Sequence, residues 1–380
     1  MSTVGGGSLD ADTGPIPTVE PSPAQVSSPP TVQPPAQTGS TQTPAVVRSP
    51  AEEEARWRRI RRQAGAGYLL LVILVVLVIG IPTDRGSLTL LVLAGLGIPC
   101  LGRGWAAFRR VLLDWLPFTA ALVVYDYSRG LADLAGQPLH VADVAKIDHD
   151  VFGVIPTVWL QEHYLSPGAV HWYDAAATLV YVTHFLATPV MAAVLWLRNR
   201  ELWLAFVRRV LVLAVAGLAT YVLYPAAPPW YASRVGAIGP VVRASGRGWL
   251  WLHINHAGNL LQEGQAASNP VAAMPSLHTG YATLIALFVL STVGSRFAWL
   301  MLLYPAAMAV SLVYLGEHYV IDVVAGILYA LVIHTAINWW EGWSAERRRK
   351  RVADAPPGSG LDESAGLIHH RDGSHRRATP

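Results

Sequence analysis

The 380-residue sequence is short of charge and of cysteine. Its single cysteine, Cys100, lies in an apolar run, so no intramolecular disulfide can form and cysteine pairing gives no information on the redox compartment. Lys, Arg, Asp and Glu make up only 14% of the residues, whereas hydrophobic residues make up 52% and the mean hydropathy is +0.36. Long stretches carry no charge at all, which is typical of bilayer-spanning segments. The composition excludes a soluble globular protein and indicates one embedded in a membrane.

Several functional signatures are also absent from the sequence. It contains no Gly-rich phosphate loop of the nucleotide-binding type and no H-E-x-x-H pattern of a zinc protease. The net charge is only +3, and the basic clusters flank apolar segments, which argues against a nucleic-acid partner. No inverted repeat of the transporter kind is visible. A transporter of a polar lipid or solute and a non-catalytic membrane scaffold are nevertheless the alternatives to a membrane enzyme.

Eight hydrophobic segments are long enough to predict helices that cross a membrane. The predicted fold class is therefore all-α, a polytopic bundle of membrane helices. The segments are residues 67–83, 87–101, 111–130, 173–197, 208–227, 277–294, 297–315 and 320–341.

The basic clusters orient these segments. Five arginines between Arg56 and Arg62 precede the first segment, and positive charge beside a span favours the cytoplasmic side. Successive spans alternate in direction, and this places all the remaining dense basic clusters, including the one at 347–351, on that same side. We therefore expect a multi-pass protein of the plasma membrane with both termini in the cytoplasm. Two long loops, roughly 131–172 and 228–276, are predicted to lie outside, the first of them with short interfacial helices.

The chain divides into four regions by composition. Residues 1–55 are rich in Pro, Ser, Thr and Gly and are predicted to form a disordered cytoplasmic tail. Residues 56–109 carry two extra transmembrane helices, and residues 110–343 form a core of six helices. Residues 344–380 are predicted to be a cytoplasmic tail that is first basic and then disordered.

Two short segments carry the side chains that can do chemistry, and each lies where an outer loop meets a span. His278 opens the sixth predicted span, and His318 with Asp322 opens the eighth, so all three reach the same membrane surface. His318 and Asp322 are four residues apart and would share one face of a helix. A carboxylate there can fix the imidazole in the tautomer that a nucleophile needs. An ionisable side chain at membrane depth is costly, which favours a functional role.

Each of these residues also has a structural interpretation. A single histidine at a helix end is commonly a hydrogen-bonded interfacial residue, and Glu317 beside His318 can pair with a loop arginine. The convergence of two histidines and one aspartate on one surface favours catalysis. Ser276 is predicted to cap the helix that His278 opens, and the first-turn N–H groups of that helix would form an anion site.

These patterns resemble the type-2 phosphatidic acid phosphatase superfamily over roughly residues 110–340. Its P-S-x-H motif is matched by Pro275-Ser276-Leu277-His278. Its S-R-x5-H-x3-D motif is matched by Ser311, His318 and Asp322, but Leu312 stands where the arginine belongs. The missing arginine argues against a standard acid phosphatase of this superfamily.

The absence of this arginine agrees with a narrower resemblance, to the branch of the superfamily that contains inositol phosphorylceramide synthase. The third motif of that branch is similar to the H-Y-x2-D pattern at residues 318–322. Three further stretches resemble signatures of the branch: Tyr125–Arg129, Tyr181–His184 and residues 224–229. Together these matches are fairly specific.

The resemblance implies a phosphatase-type core and a division of roles. His318 attacks phosphorus and forms a phosphohistidine, Asp322 orients His318, and His278 protonates the leaving alkoxide and later deprotonates the incoming hydroxyl. No metal and no other cofactor is implied. The partners are the membrane and a lipid phosphate donor, with or without an acceptor alcohol. The predicted function is hydrolysis or transfer of a lipid phosphate or phospho-headgroup at the extracytoplasmic face, and the same residues serve both reactions.

A second group of side chains is predicted to contact the substrate phosphate. A guanidinium offers a bidentate fork to phosphate, which favours Arg129, although a salt bridge to Asp126 or Asp133 is the alternative. His184 is balanced between a structural hydrogen bond and a substrate contact. For the arginines of the second outer loop, interfacial anchoring is favoured over phosphate binding. The predicted phosphate-binding residues are Arg129, Ser276, Tyr125 and Asp126.

Overall fold

The structure is a computed structural model, which describes residues 49–78, 85–131, 136–253 and 272–354. Helices form the regular structure of these residues. They are α1 (Pro50–Val78), α2 (Arg85–Gly97), α3 (Trp105–Leu131), α4 (Ala142–Phe152), α5 (Pro156–Tyr164), α6 (Trp172–Arg198), α7 (Arg200–Leu223), α8 (Pro229–Arg234), α9 (Gly248–Trp251), α10 (Leu277–Thr292), α11 (Leu303–Tyr314) and α12 (Val320–Ala353). Two 3-10 helices, Ile98–Cys100 and Ala298–Leu302, follow α2 and precede α11.

Each of the eight predicted segments falls on a helix, so the all-α prediction is confirmed. The helix ends differ from the predicted ones where polar residues flank an apolar run. α1 begins at Pro50, inside the tail predicted to end at residue 55, because Glu52 and Glu53 in its first turn suit the positive end of the helix dipole. α12 likewise continues to Ala353, beyond the predicted core boundary at residue 343. Residues 1–48 and 355–380 of the predicted tails lie outside the described residues.

Three described helices, α6, α7 and α12, are long and apolar enough to cross a membrane. Shorter apolar helices cover Gly86–Cys100, Leu277–Thr292 and Ala298–Tyr314. These lengths agree with a membrane protein. The count of eight spans, and the side on which each loop lies, stay predictions.

The close crossing of α10 and α12 brings the two histidine segments together. A Cβ added to Gly326 would lie 2.2 Å from the carbonyl oxygen of Ser276, and one added to Gly280 would lie 3.4 Å from the carbonyl oxygen of Gly326. Glycine on α12 therefore lets the two backbones approach directly. The Ser276 N–H also donates to the Asp322 carbonyl oxygen at 2.9 Å. The start of α10 is thereby fixed against the first turn of α12.

The main apolar core lies among α3, α6, α7, α10 and α12, whose buried side chains form one cluster. Phe206 of α7 and Phe288 of α10 meet edge to face, with ring centroids 5.2 Å apart. Leu213 and Leu284 are fully buried beside them. This packing holds α7 and α10 together along their length, so the crossing above it is rigidly supported.

Short helices lie in both predicted outer loops, and the first loop contains α4 and α5 as expected. Backbone hydrogen bonds tie three loop segments together close to the crossing. His140 donates to the Pro225 carbonyl oxygen at 2.9 Å, and Ala227 donates back to His140 at 2.9 Å. Ala273 donates to the Ala226 carbonyl oxygen at 3.1 Å. The segments that precede α4, follow α7 and precede α10 are therefore joined at one place.

Candidate active site

His278 and His318, the two predicted catalytic histidines, are in contact. His278 lies in the first turn of α10, and His318 lies two residues before α12. Nδ1 of His278 is 3.1 Å from Nε2 of His318, and the ring centroids are 5.3 Å apart. His318 is buried, whereas His278 is partly exposed. The pair therefore offers one enclosed imidazole and one that a substrate can reach.

Asp322 lies on the far side of the His318 ring. Its Oδ2 is 3.5 Å from Nδ1 of His318 and accepts the backbone N–H of Tyr319 at 2.9 Å. The expectation that His318 and Asp322 share a helix face does not hold, because α12 begins at Val320, after His318. They meet instead because Asp322 folds back to cap the turn that enters α12. At 3.5 Å the carboxylate acts on His318 through its charge more than through a hydrogen bond.

Ser276 caps α10, as predicted. Its Oγ accepts the N–H of Thr279 at 3.4 Å, and its side chain is fully buried. Its backbone N–H is already engaged by Asp322. The cap fixes the turn on which His278 stands, whereas direct contact of Ser276 with phosphate stays a prediction.

Two side chains of α6 flank His278. The Tyr181 ring stacks on it with centroids 5.2 Å apart, and the His184 ring lies 4.1 Å away. The two α6 residues are three positions apart and so share one face of the helix. The Tyr181–His184 signature therefore contributes directly to the site. Packing from Tyr181 and His184 restricts the rotation of His278.

The Arg243 guanidinium contacts a neighbour of each predicted catalytic histidine, namely Glu317 beside His318 and Tyr181 beside His278. Its Nε and Nη2 donate to the two carboxylate oxygens of Glu317 at 2.9 and 3.1 Å, and it also hydrogen-bonds Tyr181. Its guanidinium lies 4.9 Å from the Trp230 ring centroid. Burial disfavours the charge of Arg243, but the Glu317 carboxylate outweighs burial and raises the pKa of Arg243. Glu317 precedes His318, so a fixed positive charge stands beside the nucleophile segment.

The other loop arginines are used structurally. Arg247 lies 3.6 Å from the Asp174 carboxylate and donates to the Ser166 and Ala169 carbonyl oxygens. Arg234 packs over the Trp230 ring at 5.5 Å. These contacts hold loop segments together, whereas interfacial anchoring of the loop arginines stays a prediction.

The residues of the first branch signature are only partly described. Tyr125 is buried and belongs to the main apolar cluster, together with Leu122 and Tyr221. Asp126 and Arg129 lie in the last turns of α3, and their side chains fall outside the described residues. The phosphate-binding roles of these three residues stay predictions.

Sequence reasoning missed three buried polar residues of α4 and α5 that contact the segment carrying His318. They are Asp148, Thr157 and Gln161. One signal was available, because Val144, Ala145 and Asp148 lie on the same buried face of α4. A carboxylate on the apolar face of an amphipathic helix is unusual and indicates a specific partner inside the protein.

The arrangement suits phosphoryl transfer. It combines an enclosed imidazole, a second imidazole in contact with it, a carboxylate behind the first imidazole and a guanidinium close by, which are the groups that nucleophilic attack and proton transfer require. Among residues 49–78, 85–131, 136–253 and 272–354, no group of three or more His, Cys, Asp or Glu side chains is placed to hold a metal ion. That the reaction needs no metal stays a prediction.

Residues 143–348 match the profile of the PAP2 superfamily. The chain belongs to the PAP2 superfamily. The matched region begins in α4 and ends in α12, so it contains His278, His318 and Asp322. α1, α2 and α3, with the Tyr125–Arg129 signature, precede it.

Two relatives narrow the similarity within the superfamily. The chain is 27% identical over 246 residues to phosphoinositol dihydroceramide synthase of Bacteroides thetaiotaomicron, covering 59% of this chain and 75% of the relative. It is 27% identical over 193 residues to the inositol phosphorylceramide synthase catalytic subunit of Schizosaccharomyces pombe, covering 50% of this chain and 41% of the relative. No solved structure matches the chain.

These comparisons confirm the family and the branch that the motifs predicted. They also confirm the enzyme class, a lipid phosphatase or phosphotransferase of the inositol phosphotransferase-like kind. The absence of arginine at Leu312 is thus compatible with membership of the superfamily.

Proposed function

We propose that this protein transfers the phospho-headgroup of an inositol-containing phospholipid to the hydroxyl of a lipid alcohol, through a covalent intermediate on His318. The observation that supports this most strongly is the 3.1 Å contact between His278 and His318, with Asp322 behind His318, in a chain of this superfamily. The order Asp322–His318–His278 is that of an orienting carboxylate, a nucleophile and a proton-transfer group.

In the first half-reaction, Nε2 of His318 attacks phosphorus. The N–P bond forms, the bond between phosphorus and the glycerol oxygen breaks, and His278 gives its proton to the leaving alkoxide. Asp322 faces Nδ1 of His318 and stabilises the positive charge that develops on the ring. Substrate entry must break the contact between the two histidines, because phosphorus occupies the position in front of Nε2.

In the second half-reaction, neutral His278 takes the proton of the acceptor hydroxyl. The acceptor oxygen attacks phosphorus, the N–P bond breaks, and His318 and His278 return to their starting states. The same residue thus serves as acid and then as base. Water in the place of the acceptor would give hydrolysis, so the balance between transfer and hydrolysis depends on which hydroxyl reaches the intermediate.

We assign the neutralisation of the phosphate oxygens to guanidinium groups. Arg243 presents two of its five N–H donors to Glu317, and its contact with Tyr181 places it beside the ring that packs on His278. Arg129 is the second candidate, from the sequence signature at the end of α3. A bidentate arginine discriminates phosphate geometry better than a lysine would.

The identity of donor and acceptor rests on the relatives. One is named as a synthase of phosphoinositol dihydroceramide and the other of inositol phosphorylceramide, so an inositol phosphate group and a ceramide-like alcohol are the proposed partners. Burial of His318, with 4% of its surface exposed, suits an intermediate that must outlast collisions with water. In our proposal the site lies at the extracytoplasmic face of the plasma membrane, and the orientation predicted from the basic clusters in the sequence supports this.

A reconstitution experiment tests the proposal. The full chain in lipid nanodiscs is given a phosphatidylinositol labelled in its headgroup, with or without ceramide, and with or without EDTA. We expect labelled phosphoinositol-ceramide only when ceramide is present, slow release of inositol phosphate without it, and no effect of EDTA.

The matched control is His149→Ala, because His149 is exposed on α4 and takes no part in the proposed chemistry. His318→Ala should form no product, and His149→Ala should match the wild type. If inositol phosphate or free phosphate accounts for all donor consumed at every ceramide concentration, the protein is a hydrolase and the transferase proposal fails.

A further inference from the structure

A hairpin of two short outer helices holds the nucleophile segment in place from a distant part of the chain. The hairpin consists of α4 and α5, which lie more than 150 residues before His318. Its buried polar side chains each contact the backbone between Tyr314 and Ile321. None of these contacts touches the reacting nitrogen, so the catalytic mechanism described above does not explain them.

Asp148 makes two of these contacts. Its Oδ2 accepts the Val320 N–H at 2.9 Å and its Oδ1 accepts the Ile321 N–H at 3.0 Å. The first N–H groups of a helix have no partner within the helix, and Asp148 satisfies two of them from another element. Asp322 satisfies the preceding N–H, that of Tyr319. The two aspartates thereby fix three consecutive peptide groups directly after His318.

α5 fixes the same segment at two further points. Thr157 Oγ1 donates to the carbonyl oxygen of His318 itself at 3.4 Å. Gln161 Nε2 donates to the Tyr314 carbonyl oxygen at 2.9 Å. Both side chains are buried. The hairpin thus forms hydrogen bonds with this segment before His318, at His318 and after it.

The hairpin is itself anchored near the start of α10. His140, two residues before α4, exchanges backbone hydrogen bonds of 2.9 Å with Pro225 and Ala227. Ala226, between them, accepts the N–H of Ala273, which lies just before α10 and His278. One framework therefore positions both histidine segments relative to each other.

Burying a carboxylate requires compensation. Asp148 is 1% exposed, and burial, followed by the nearby Asp322, raises its pKa, while the two backbone N–H donors oppose the rise. An ordinary cap at the surface would satisfy the helix end without this cost. The carboxylates of Asp148 and Asp322 lie close together at the start of α12 although they repel each other. This indicates that the backbone at the start of α12 must be held in a fixed geometry.

We propose that Asp148 is a positioning residue for the transfer reaction, which holds the His318–Ile321 turn so that Nε2 of His318 lines up with phosphorus. The proposal rests on the proposed function, since it assumes that His318 is the nucleophile. Misplacement of a nucleophile by about 1 Å can lower a rate by about 100-fold. The contacts of Asp148 are to the backbone of Val320 and Ile321, so we expect its substitution to leave substrate affinity unchanged.

The test is the isosteric substitution Asp148→Asn, compared with Asp150→Asn on the same helix. Asp150 is exposed and pairs with Lys146, so its substitution controls for loss of a carboxylate on α4. The amide that Asp148→Asn introduces offers one acceptor oxygen and turns an N–H₂ towards the second backbone N–H. We expect kcat per folded chain to fall about 10- to 100-fold with KM within twofold, whereas Asp150→Asn leaves both unchanged.

The outcomes separate this proposal from the proposed function. An inactive wild-type protein would refute the proposed function. An active wild type with wild-type kcat in Asp148→Asn, or with a change in KM alone, would refute the positioning role. If Asp148→Asn does not purify as a folded protein, Thr157→Val carries the test: a kcat lowered at least twofold at unchanged KM supports the role, and an unchanged kcat refutes it.

Discussion

The two ends of the helix bundle both hold buried charged side chains, but they hold them differently. At one end, Arg209 is 3% exposed and binds Glu341 at 2.8 Å and Asn338 at 2.5 Å. Arg200, at the start of the same helix, binds the Asp114 carboxylate at 2.6 Å. Each of these charges faces an opposite charge on a neighbouring helix. This end of the bundle is closed by ion pairs.

At the other end, Glu317 pairs with Arg243 and Asp174 with Arg247, but the two buried carboxylates that face the start of α12 are satisfied by backbone N–H groups. Asp148 and Asp322 are 1% and 0% exposed, and together they accept the N–H groups of three consecutive residues at the start of α12. The nearest side-chain cation to Asp322 among the described residues is the imidazole of His318, at 3.5 Å, and it is charged only when protonated. The negative charge at this end is therefore directed towards a histidine.

We infer that the two arrangements serve different purposes, stability at one end and catalysis at the other. An ion pair between two helices compensates the burial of both partners. A carboxylate held by backbone dipoles keeps its charge, and that charge stabilises an imidazole as it becomes positive. Substitutions at the two ends should consequently affect different quantities, rate at one and stability at the other.

The largest effect is expected at His318. Replacing His318 with Ala removes the nucleophile, and turnover should fall by at least about 10⁴-fold, while the folded fraction and the thermal midpoint stay near those of the wild type. Radiolabelled product formation per folded chain measures this. Turnover within tenfold of the wild type would show that His318 is not the nucleophile.

Replacing His278 with Ala should lower turnover by about 10²- to 10⁴-fold, because the leaving alkoxide loses its proton donor. A donor whose leaving group is 4-nitrophenolate needs no protonation, so release of nitrophenolate by the His278→Ala protein should be largely restored. His318→Ala should stay inactive with both donors. Equal impairment of His278→Ala with the two donors would contradict the acid role of His278.

A smaller loss is expected for Asp322→Asn. The amide can still accept the Tyr319 N–H, so the turn is retained, but the charge 3.5 Å from His318 is gone. We expect kcat to fall by about 10²-fold, less than for His318→Ala. Wild-type kcat for Asp322→Asn would mean that the carboxylate is only a helix cap.

No loss of rate is expected at the ion-paired end. Arg209→Met removes the contacts to Glu341 and Asn338, so the thermal midpoint should fall by several degrees. The kcat per folded chain should match that of the wild type, because the side-chain partners of Arg209 are Asn338, Glu341 and Phe288 and not the residues of the site. A tenfold fall in kcat with an unchanged thermal midpoint would contradict the claim that substitutions at this end change stability and not rate.

Much of the fold could be predicted because apolar length is a local property. The described part of each of the eight predicted segments overlaps a helix, and the His278, His318 and Asp322 set follows from short motifs. The helix-face relation between His318 and Asp322 was wrong because the chain turns at Gly316, whose φ is +77°, and α12 starts only at Val320. Spacing alone does not show where a helix begins.

The supporting residues could not be predicted, since they come from a loop far away in sequence. Asp148 contacts residues 172 and 173 positions later. The sequence suggested that Glu317 can pair with a loop arginine, but it did not show that Arg243, 74 positions earlier, is the partner. Such contacts depend on how the outer segments are tied at His140 and Ala226, which no local pattern encodes. A buried acid on an apolar helix face was the only local sign of Asp148.

Trapping of the covalent intermediate tests the central claim most directly. The protein is mixed with headgroup-labelled phosphatidylinositol without acceptor and quenched in base, in which the N–P bond of a phosphohistidine survives, and the labelled peptide is identified by mass spectrometry. The account predicts label on His318, absent from His318→Ala, and lost at a rate no slower than kcat when ceramide is added. Steady product formation by the wild type with no label on His318 at any time, or with label on another residue, would contradict it.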